Sequence, residues 1–241
     1  MSKKLKIFLG ISYLFILSIF LYFTFLHIEL SRLNDFSYYK EVQLNLENFI
    51  LDNIYINLLI FFIFSVVWVS LLGFATPLLI ISGILFGKWY GTFISLIAIS
   101  VGASILYIIT NFFFKDLVNE LLKKRFSKYI TLFNKNEFYY FFIFRFTGGL
   151  GLPFPLQNTL PVIFNIKKIN YFFASILGFV PSFFIWNTIG SGINMFIKNS
   201  ENFSFIRLLS TKEIYLPILM FLIFVMITLF IKKKFFNVKD K

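Results

Sequence analysis

The decisive stretch of this chain reads Phe141-Phe142-Ile143-Phe144-Arg145-Phe146-Thr147-Gly148-Gly149-Leu150-Gly151-Leu152-Pro153-Phe154-Pro155-Leu156-Gln157-Asn158. Three glycines and two prolines interrupt an otherwise apolar segment, and Arg145 is the only charge in the interior of any apolar stretch. Irregular backbone at membrane depth survives only where protein or a water-filled cavity surrounds it. A charge at that depth is costly and marks a functional site by default. The stretch therefore predicts a polar cavity inside a membrane protein.

The composition excludes an ordinary soluble domain. The 241 residues are 59% hydrophobic and 22% aromatic, with 38 phenylalanines, far beyond the usage of globular proteins. We predict an all-α integral membrane protein with one membrane domain over residues 1–241. There is no cysteine and a single histidine, His27, so no disulfide or metal site is expected. No nucleophile–base pair or phosphate loop is present, so we expect neither enzymatic activity nor a cofactor.

The apolar stretches define the expected membrane segments, since a crossing helix needs about 20 apolar residues. Transmembrane helices are predicted at 5–28, 90–114, 169–197 and 214–231. Two further stretches, 54–87 and 138–166, are broken near their middle, at Gly73–Pro77 and Thr147–Pro155. Each is predicted to be a re-entrant hairpin that returns to the side from which it came.

The distribution of cations favours this topology over a rival. With the N-terminus inside, sixteen lysines and arginines lie in the cytoplasm and six outside, as the positive-inside rule requires. The basic loop 115–137 is then cytoplasmic, and so are both termini, in the plasma (inner) membrane of the cell. The rival topology makes 54–74 a full crossing and 78–87 a short inner dip, and it places that loop outside. The net charge of +12 needs no nucleic-acid partner, because no basic segment is long enough for a binding module.

The predicted layout is an inverted repeat. One hairpin-plus-helix unit, 54–114, enters from outside, and a second, 138–197, enters from inside. Transmembrane helices at the two ends flank this pair. Inverted repeats of this kind are the usual architecture for alternating access around a site near the membrane midplane.

Two groups of residues carry a family resemblance over about 70–195. The first reads Pro77-Leu78-Leu79-Ile80-Ile81-Ser82-Gly83-Ile84-Leu85-Phe86-Gly87-Lys88-Trp89-Tyr90-Gly91, followed by Gly102-Ala103-Ser104. The second comprises Phe144-Arg145-Phe146, then Pro153-Phe154-Pro155-Leu156-Gln157-Asn158, then Gly178, Pro181, Gly190 and Ser191. In their order and spacing these residues resemble the DedA superfamily, also called the VTT-domain or SNARE-associated Golgi protein family.

The resemblance implies facing re-entrant hairpins and a role in moving lipids across a bilayer. Relatives act as polyprenyl-phosphate carriers or phospholipid scramblases. This chain departs from the core branch of the family, because no Asp or Glu lies within 53–115 or 138–197. Proton coupling through a buried carboxylate is therefore not expected.

The candidate substrate-binding residues centre on Arg145, whose guanidinium can grip a phosphate bidentately. Its alternative role is to cap loose carbonyls of the broken hairpin or to snorkel to the interface. The other candidates are neutral or interfacial, and each has a structural alternative as backbone partner, membrane anchor or interhelical bond: Thr147, Gln157, Asn158, Lys88 and Asn187. Prolines and glycines are expected to shape the hairpins and their packing: Pro77, Gly83, Gly87, Gly91, Pro153, Pro155 and Pro181.

The function predicted from these residues is a transporter or scramblase that moves a phospholipid or polyprenyl phosphate between leaflets. Its partners are then membrane lipids with an anionic phosphate headgroup. Two alternatives remain open at this point. The same fold could carry a small anion or solute, or it could be a non-transporting assembly protein whose hairpins only pack partner helices.

Overall fold

The computed structural model describes residues 35–236, together with Ser12, Phe15 and Ser18. The predicted first transmembrane helix, 5–28, otherwise lies outside the described residues. The described part of the chain is helical and contains no strand. Its α-helices are α1 (Phe36–Asp52), α2 (Ile54–Ser70), α3 (Ala75–Phe113), α4 (Lys115–Lys135), α5 (Glu137–Phe146), α6 (Phe154–Thr159), α7 (Lys168–Asn199), α8 (Phe205–Ser210) and α9 (Lys212–Phe236).

Within the described residues, three helices are long and apolar enough to cross a membrane: α3, α7 and α9. The consecutive helices α1 and α2 meet at 107° and would add a fourth crossing if they formed one bent span. The predicted all-α membrane architecture is thus confirmed. The return of each hairpin to its own side, and with it the inverted repeat, stays a prediction.

The first broken segment forms two antiparallel arms joined by a tight turn. The turn follows α2, and Leu72 in it adopts a left-handed conformation with φ 66°. The Trp68 indole Nε1 closes the turn by donating to the Phe74 carbonyl at 3.0 Å. Pro77 lies in the first turn of α3, where a missing N–H costs nothing. Gly87, with φ 73° and ψ 177°, then breaks α3 into arms of 75–86 and 88–113.

The second broken segment has a more unusual turn. After α5, four successive residues have positive φ: Gly148 (63°), Gly149 (64°), Leu150 (60°) and Gly151 (85°). This conformation costs an L-residue about 1–2 kcal/mol, whereas glycine adopts it freely. The three glycines are therefore required by a left-handed turn, which we call the 148–151 turn. Pro153 and Pro155 then start α6, and a 3₁₀ turn at Leu160–Phe164 leads to α7.

The centre of the fold is the crossing of α3 and α7, which pack together more extensively than any other described pair. Gly83 and Gly91 of α3 lie against Asn187 of α7, and Gly190 of α7 lies against the Ile80 carbonyl. A Cβ atom at any of these glycines would overlap the facing helix. Small residues are what allow two membrane helices to approach so closely.

The basic segment 115–137, predicted as a connecting loop, is a helix over most of its length. This helix, α4, carries lysines on its exposed face and turns Phe133 inward. The Phe133 ring stacks on Phe164 with 4.0 Å between centroids. The apolar face of α4 thus packs against the end of the second broken segment.

Candidate functional site

Arg145 lies in the last turn of α5 and has no exposed surface. Its Nε donates to the Ser175 hydroxyl at 3.1 Å, and its Nη2 donates to the Tyr171 hydroxyl at 2.5 Å. No carboxylate of the described residues forms an ion pair with it. The carbonyl ends of α5 offer partial negative charge, since a cation is favoured at a helix C-terminus. The guanidinium is therefore held by neutral groups alone.

Three aromatic rings surround the guanidinium carbon of Arg145. The Cζ atom lies 4.8 Å from the ring centroid of Phe141, 5.0 Å from that of Tyr171 and 4.8 Å from that of Phe179. The face of an aromatic ring attracts a cation, and the attraction grows when water is excluded. These rings compensate part of the cost of burying the charge, and they restrict the plane of the guanidinium.

Tyr171 connects the guanidinium to the rest of the fold. Its hydroxyl accepts from Arg145 and donates to the Asn158 carbonyl at 3.2 Å. Its ring stacks on Tyr107 of α3 with 4.4 Å between centroids. The Tyr107 hydroxyl in turn donates to the Ile166 carbonyl at 2.6 Å. The two tyrosines thus join α3, α7 and the second broken segment around the charge.

Several polar atoms at this site are buried without a partner among the described residues. They are Nη1 of Arg145 and both side-chain atoms, Nδ2 and Oδ1, of Asn158. A buried donor left unpaired costs about 1–3 kcal/mol, and more when it is charged. Nearly all such groups in native proteins find a partner, including water. We therefore expect Arg145 and Asn158 to be completed by a ligand or by water.

Arg145 also borders a cavity of about 470 Å³, within the range of small-molecule sites. The turns of both broken segments reach this cavity, residues 74–76 from one and residues 147, 148 and 151–153 from the other. Helix α7 adds Phe179, Ser182, Phe183 and Trp186, and helix α9 adds Phe221, Phe224, Val225 and Thr228. The lining is thus mainly apolar and aromatic, with a few polar groups close to one cation.

The structure brings Thr147 and Gln157 to the cavity together with Arg145. The Thr147 hydroxyl donates to the Ile143 carbonyl at 2.9 Å. The Gln157 amide nitrogen donates to the carbonyls of Gly148 at 3.0 Å and Leu152 at 2.7 Å. Both side chains therefore hold the turn in place as well as lining the cavity.

Lys88 and Asn187 lie elsewhere. Lys88 is exposed just after the break at Gly87, with its Nζ 5.9 Å from the Trp89 ring centroid. Asn187 is fully buried, accepting from the Ser82 hydroxyl at 2.6 Å and donating to its own helix. It follows Ser175 by twelve residues on α7, or about 18 Å along the helix axis. Asn187 forms an interhelical bond at the α3–α7 crossing.

Sequence reasoning missed Tyr171, Ser175 and Tyr107. A usable signal was present, because Tyr171, Ser175 and Gly178 recur at helical spacing and share one face of α7. Gly178 completes this face: a Cβ placed on it would lie 2.5 Å from the Arg145 Cβ. Among the described residues, no three His, Cys, Asp or Glu side chains cluster in a way that could hold a metal ion.

Comparison with known proteins identifies one matching family. The VTT domain family matches residues 73–192, which include α3, both turns at the cavity, Arg145 and most of α7. No solved structure matches the chain. The apolar helices and the matched domain together point to a membrane protein. The chain therefore belongs to the DedA/SNARE-associated Golgi family, whose VTT domain it carries at residues 73–192.

Proposed function

We propose that this protein moves a lipid with a phosphate headgroup between the leaflets of a membrane, as a transporter or scramblase. The observation that carries the proposal is a fully buried arginine, with an unpaired Nη1, at the wall of a cavity. Two partners of Arg145 are neutral hydroxyls, so its charge is not cancelled within the described site. An anion entering the cavity would supply the missing opposite charge.

The chemistry of the site favours phosphate. A guanidinium is a planar fork of donors that matches two phosphate oxygens at once. Nε and one hydrogen of Nη2 are engaged, so Nη1 and the second hydrogen of Nη2 remain to meet two oxygens of the headgroup. Thr147 and Gln157 lie at the same cavity as neutral groups of lower desolvation cost. In the proposed binding step, a phosphate oxygen takes the place of water at Nη1.

The apolar lining of the cavity favours a lipid over a free solute. Phenylalanines from α7 and α9 form much of the wall, and such a surface is compatible with acyl or prenyl chains. A headgroup can then pass the polar turns while its tails stay among apolar side chains. No covalent step is part of this function.

The proposed orientation follows the charge distribution of the sequence. We propose a plasma-membrane protein with both termini and α4 in the cytoplasm. Arg145 follows Glu137, the first residue of α5, by eight residues, which corresponds to a depth of about 12 Å. Arg145 would then meet headgroups arriving from the cytoplasmic leaflet.

Lipid flipping in reconstituted vesicles tests the proposal. The purified protein is inserted into vesicles with a fluorescent phospholipid, and the fraction accessible to an external quencher is followed over time. We expect Arg145→Ala to reduce the rate to that of protein-free vesicles. Arg207→Ala, which removes an exposed arginine of α8, should leave the rate unchanged. Full flipping by Arg145→Ala would remove the guanidinium from the mechanism.

The same vesicles separate the alternatives. Arg145→Lys should fail in a phosphate carrier, because an ammonium cannot reproduce the fork of donors. It should be harmless in an assembly protein, since an ammonium can also donate to the hydroxyls of Ser175 and Tyr171. Uptake of a labelled inorganic phosphate without lipid flipping would instead indicate a carrier of small anions.

A further inference from the structure

Helix α9 lies beyond the matched VTT domain, which ends at residue 192, yet it forms one wall of the Arg145 cavity. Two ring pairs fix its direction: Phe146 with Phe224 at 5.4 Å, and Tyr139 with Phe235 at 6.0 Å between centroids. Helix α9 therefore runs antiparallel to α5. Its last turns lie beside the start of α5, on the path from the membrane surface to the guanidinium.

One face of α9 changes character along this path. Phe221, Val225, Thr228 and Lys232 are spaced by four, three and four residues, so they share a face of the helix. The first three line the cavity. Lys232 lies one turn beyond Thr228, about 6 Å along the axis. Along this face the side chains are therefore first apolar, then the hydroxyl of Thr228, and finally the ammonium of Lys232.

Lys232 is joined to the edge of the cavity. Its Nζ donates to the Leu150 carbonyl at 3.2 Å, in the 148–151 turn, whose residues Gly148 and Gly151 border the cavity. This distance is at the long end for an N–H···O bond, and the acceptor is neutral. The ammonium has further hydrogens, and no other partner for them is found among the described residues. The bond is therefore weak enough to exchange for a charged acceptor.

The neighbouring lysines are placed differently. Lys233 and Lys234 follow Lys232 at about 100° and 200° around the helix. Both are exposed, as Lys232 also is, and the Lys234 Nζ lies 5.5 Å from the Phe235 ring centroid. Neither bonds the 148–151 turn in the described structure. The three lysines thus carry the same charge at different distances from the cavity.

We propose that Lys232 is an entrance site for the phosphate headgroup, holding it at the cavity mouth before it reaches Arg145. This inference rests on the proposed function. The headgroup phosphate replaces the Leu150 carbonyl as the partner of the Lys232 ammonium, then passes Thr228 to the guanidinium. A lysine suits the first step because its compact, hydrated charge binds without a fixed geometry, whereas the arginine fork holds the headgroup in the cavity.

Glutamine substitutions at the three lysines test this assignment, because each removes one positive charge from the same helix end. Lys232→Gln should slow phosphatidylglycerol flipping about fivefold, the effect expected for one lysine beside anionic lipid. Lys233→Gln and Lys234→Gln should flip at the wild-type rate. Lys232→Arg, which keeps the charge, should retain most of the activity. Equal losses in all three glutamine variants, or no loss in Lys232→Gln, would overturn the proposal.

A binding measurement keeps this test independent of transport. Native mass spectrometry of the purified full-length protein compares retention of phosphatidylglycerol with that of diacylglycerol, which lacks the phosphate. Lys232→Gln should lower retention of phosphatidylglycerol alone. If the wild-type protein does not flip lipid, but Lys232→Gln retains less phosphatidylglycerol than the wild type does, the proposed function fails and the Lys232 site stands. If Arg145→Ala abolishes flipping and Lys232→Gln changes neither rate nor retention, the proposed function stands and the Lys232 site fails.

Discussion

Replacing Tyr171 with phenylalanine tests whether the guanidinium depends on its hydroxyl partner. The ring keeps its stacking on Tyr107 and Phe141, but Arg145 loses an acceptor at 2.5 Å and the Asn158 carbonyl loses a donor at 3.2 Å. A hydrogen bond to a charged group contributes about 1.5–3 kcal/mol, and a neutral bond between membrane helices averages about 0.6 kcal/mol. We expect Tyr171→Phe to lower the free energy of unfolding by roughly 2–3.5 kcal/mol.

Tyr107→Phe is the matched control, since the two tyrosine rings stack on each other and the same atom is removed. The Tyr107 hydroxyl donates to the Ile166 carbonyl and makes no hydrogen bond to Arg145. Its loss should cost about 0.6 kcal/mol. The difference between the variants is then about 2 kcal/mol, or roughly thirtyfold in the unfolding equilibrium.

Unfolding in detergent, followed by tryptophan fluorescence, measures both variants, and lipid flipping is measured in parallel. Tyr171→Phe should flip lipid more slowly, because the guanidinium is no longer oriented toward the cavity, while Tyr107→Phe should stay near the wild-type rate. Equal losses of stability in the two variants would refute the reasoning. Normal flipping by Tyr171→Phe would show that this hydroxyl does not position the charge.

Three further predictions concern packing and topology. Gly178→Ala should slow lipid flipping and destabilise the fold by about 1–3 kcal/mol, because the added methyl group would lie 2.5 Å from the Arg145 Cβ; wild-type behaviour in the flip and unfolding assays would contradict this packing. Asn187→Leu should destabilise the protein in detergent, because the bond to Ser82 is lost, yet it should leave phosphatidylglycerol retention unchanged. Lost retention would show that the α3–α7 crossing at Asn187 affects lipid binding at the Arg145 cavity. Cysteines introduced at the exposed positions Ser37 and Lys123 should react with an impermeant maleimide from opposite sides of the membrane, and reaction from the same side would exclude the predicted topology.

The parts of the fold that the sequence predicts are those with strong local chemistry. Glycine and proline clustered within a few residues interrupt a helix, so the breaks at Gly73–Pro77 and Thr147–Pro155 could be read from residue types alone, whereas the isolated Pro181 lies inside α7. The position of Arg145 at a cavity followed from the cost of burying its charge. These inferences need no knowledge of what packs against the segment, which is why they could be made from one sequence.

The partners of Arg145 could not be predicted in the same way. Tyr171 lies 26 residues away in sequence, and its apolar surroundings resemble those of many other tyrosines in this chain. The role of α9 as a cavity wall was also hidden, because its apolar residues are uniform around most of the helix. The sequence predicts that Gly87 shapes the first hairpin and its packing, but it does not predict the break there, which the positive φ of Gly87 and the open space around it show. Such features depend on tertiary contacts.

The crossing of α3 and α7 restricts how this protein can change shape. Gly83 and Gly190 lie directly against carbonyls of the opposite helix, so sliding by one residue, about 1.5 Å, would drive a bulkier neighbour into the same space. We expect the two long helices to behave as a single stiff frame throughout any transport cycle. Under the proposed function, opening toward one leaflet or the other then falls to α9, little of which is buried, and the barrier to transport is the work of displacing it.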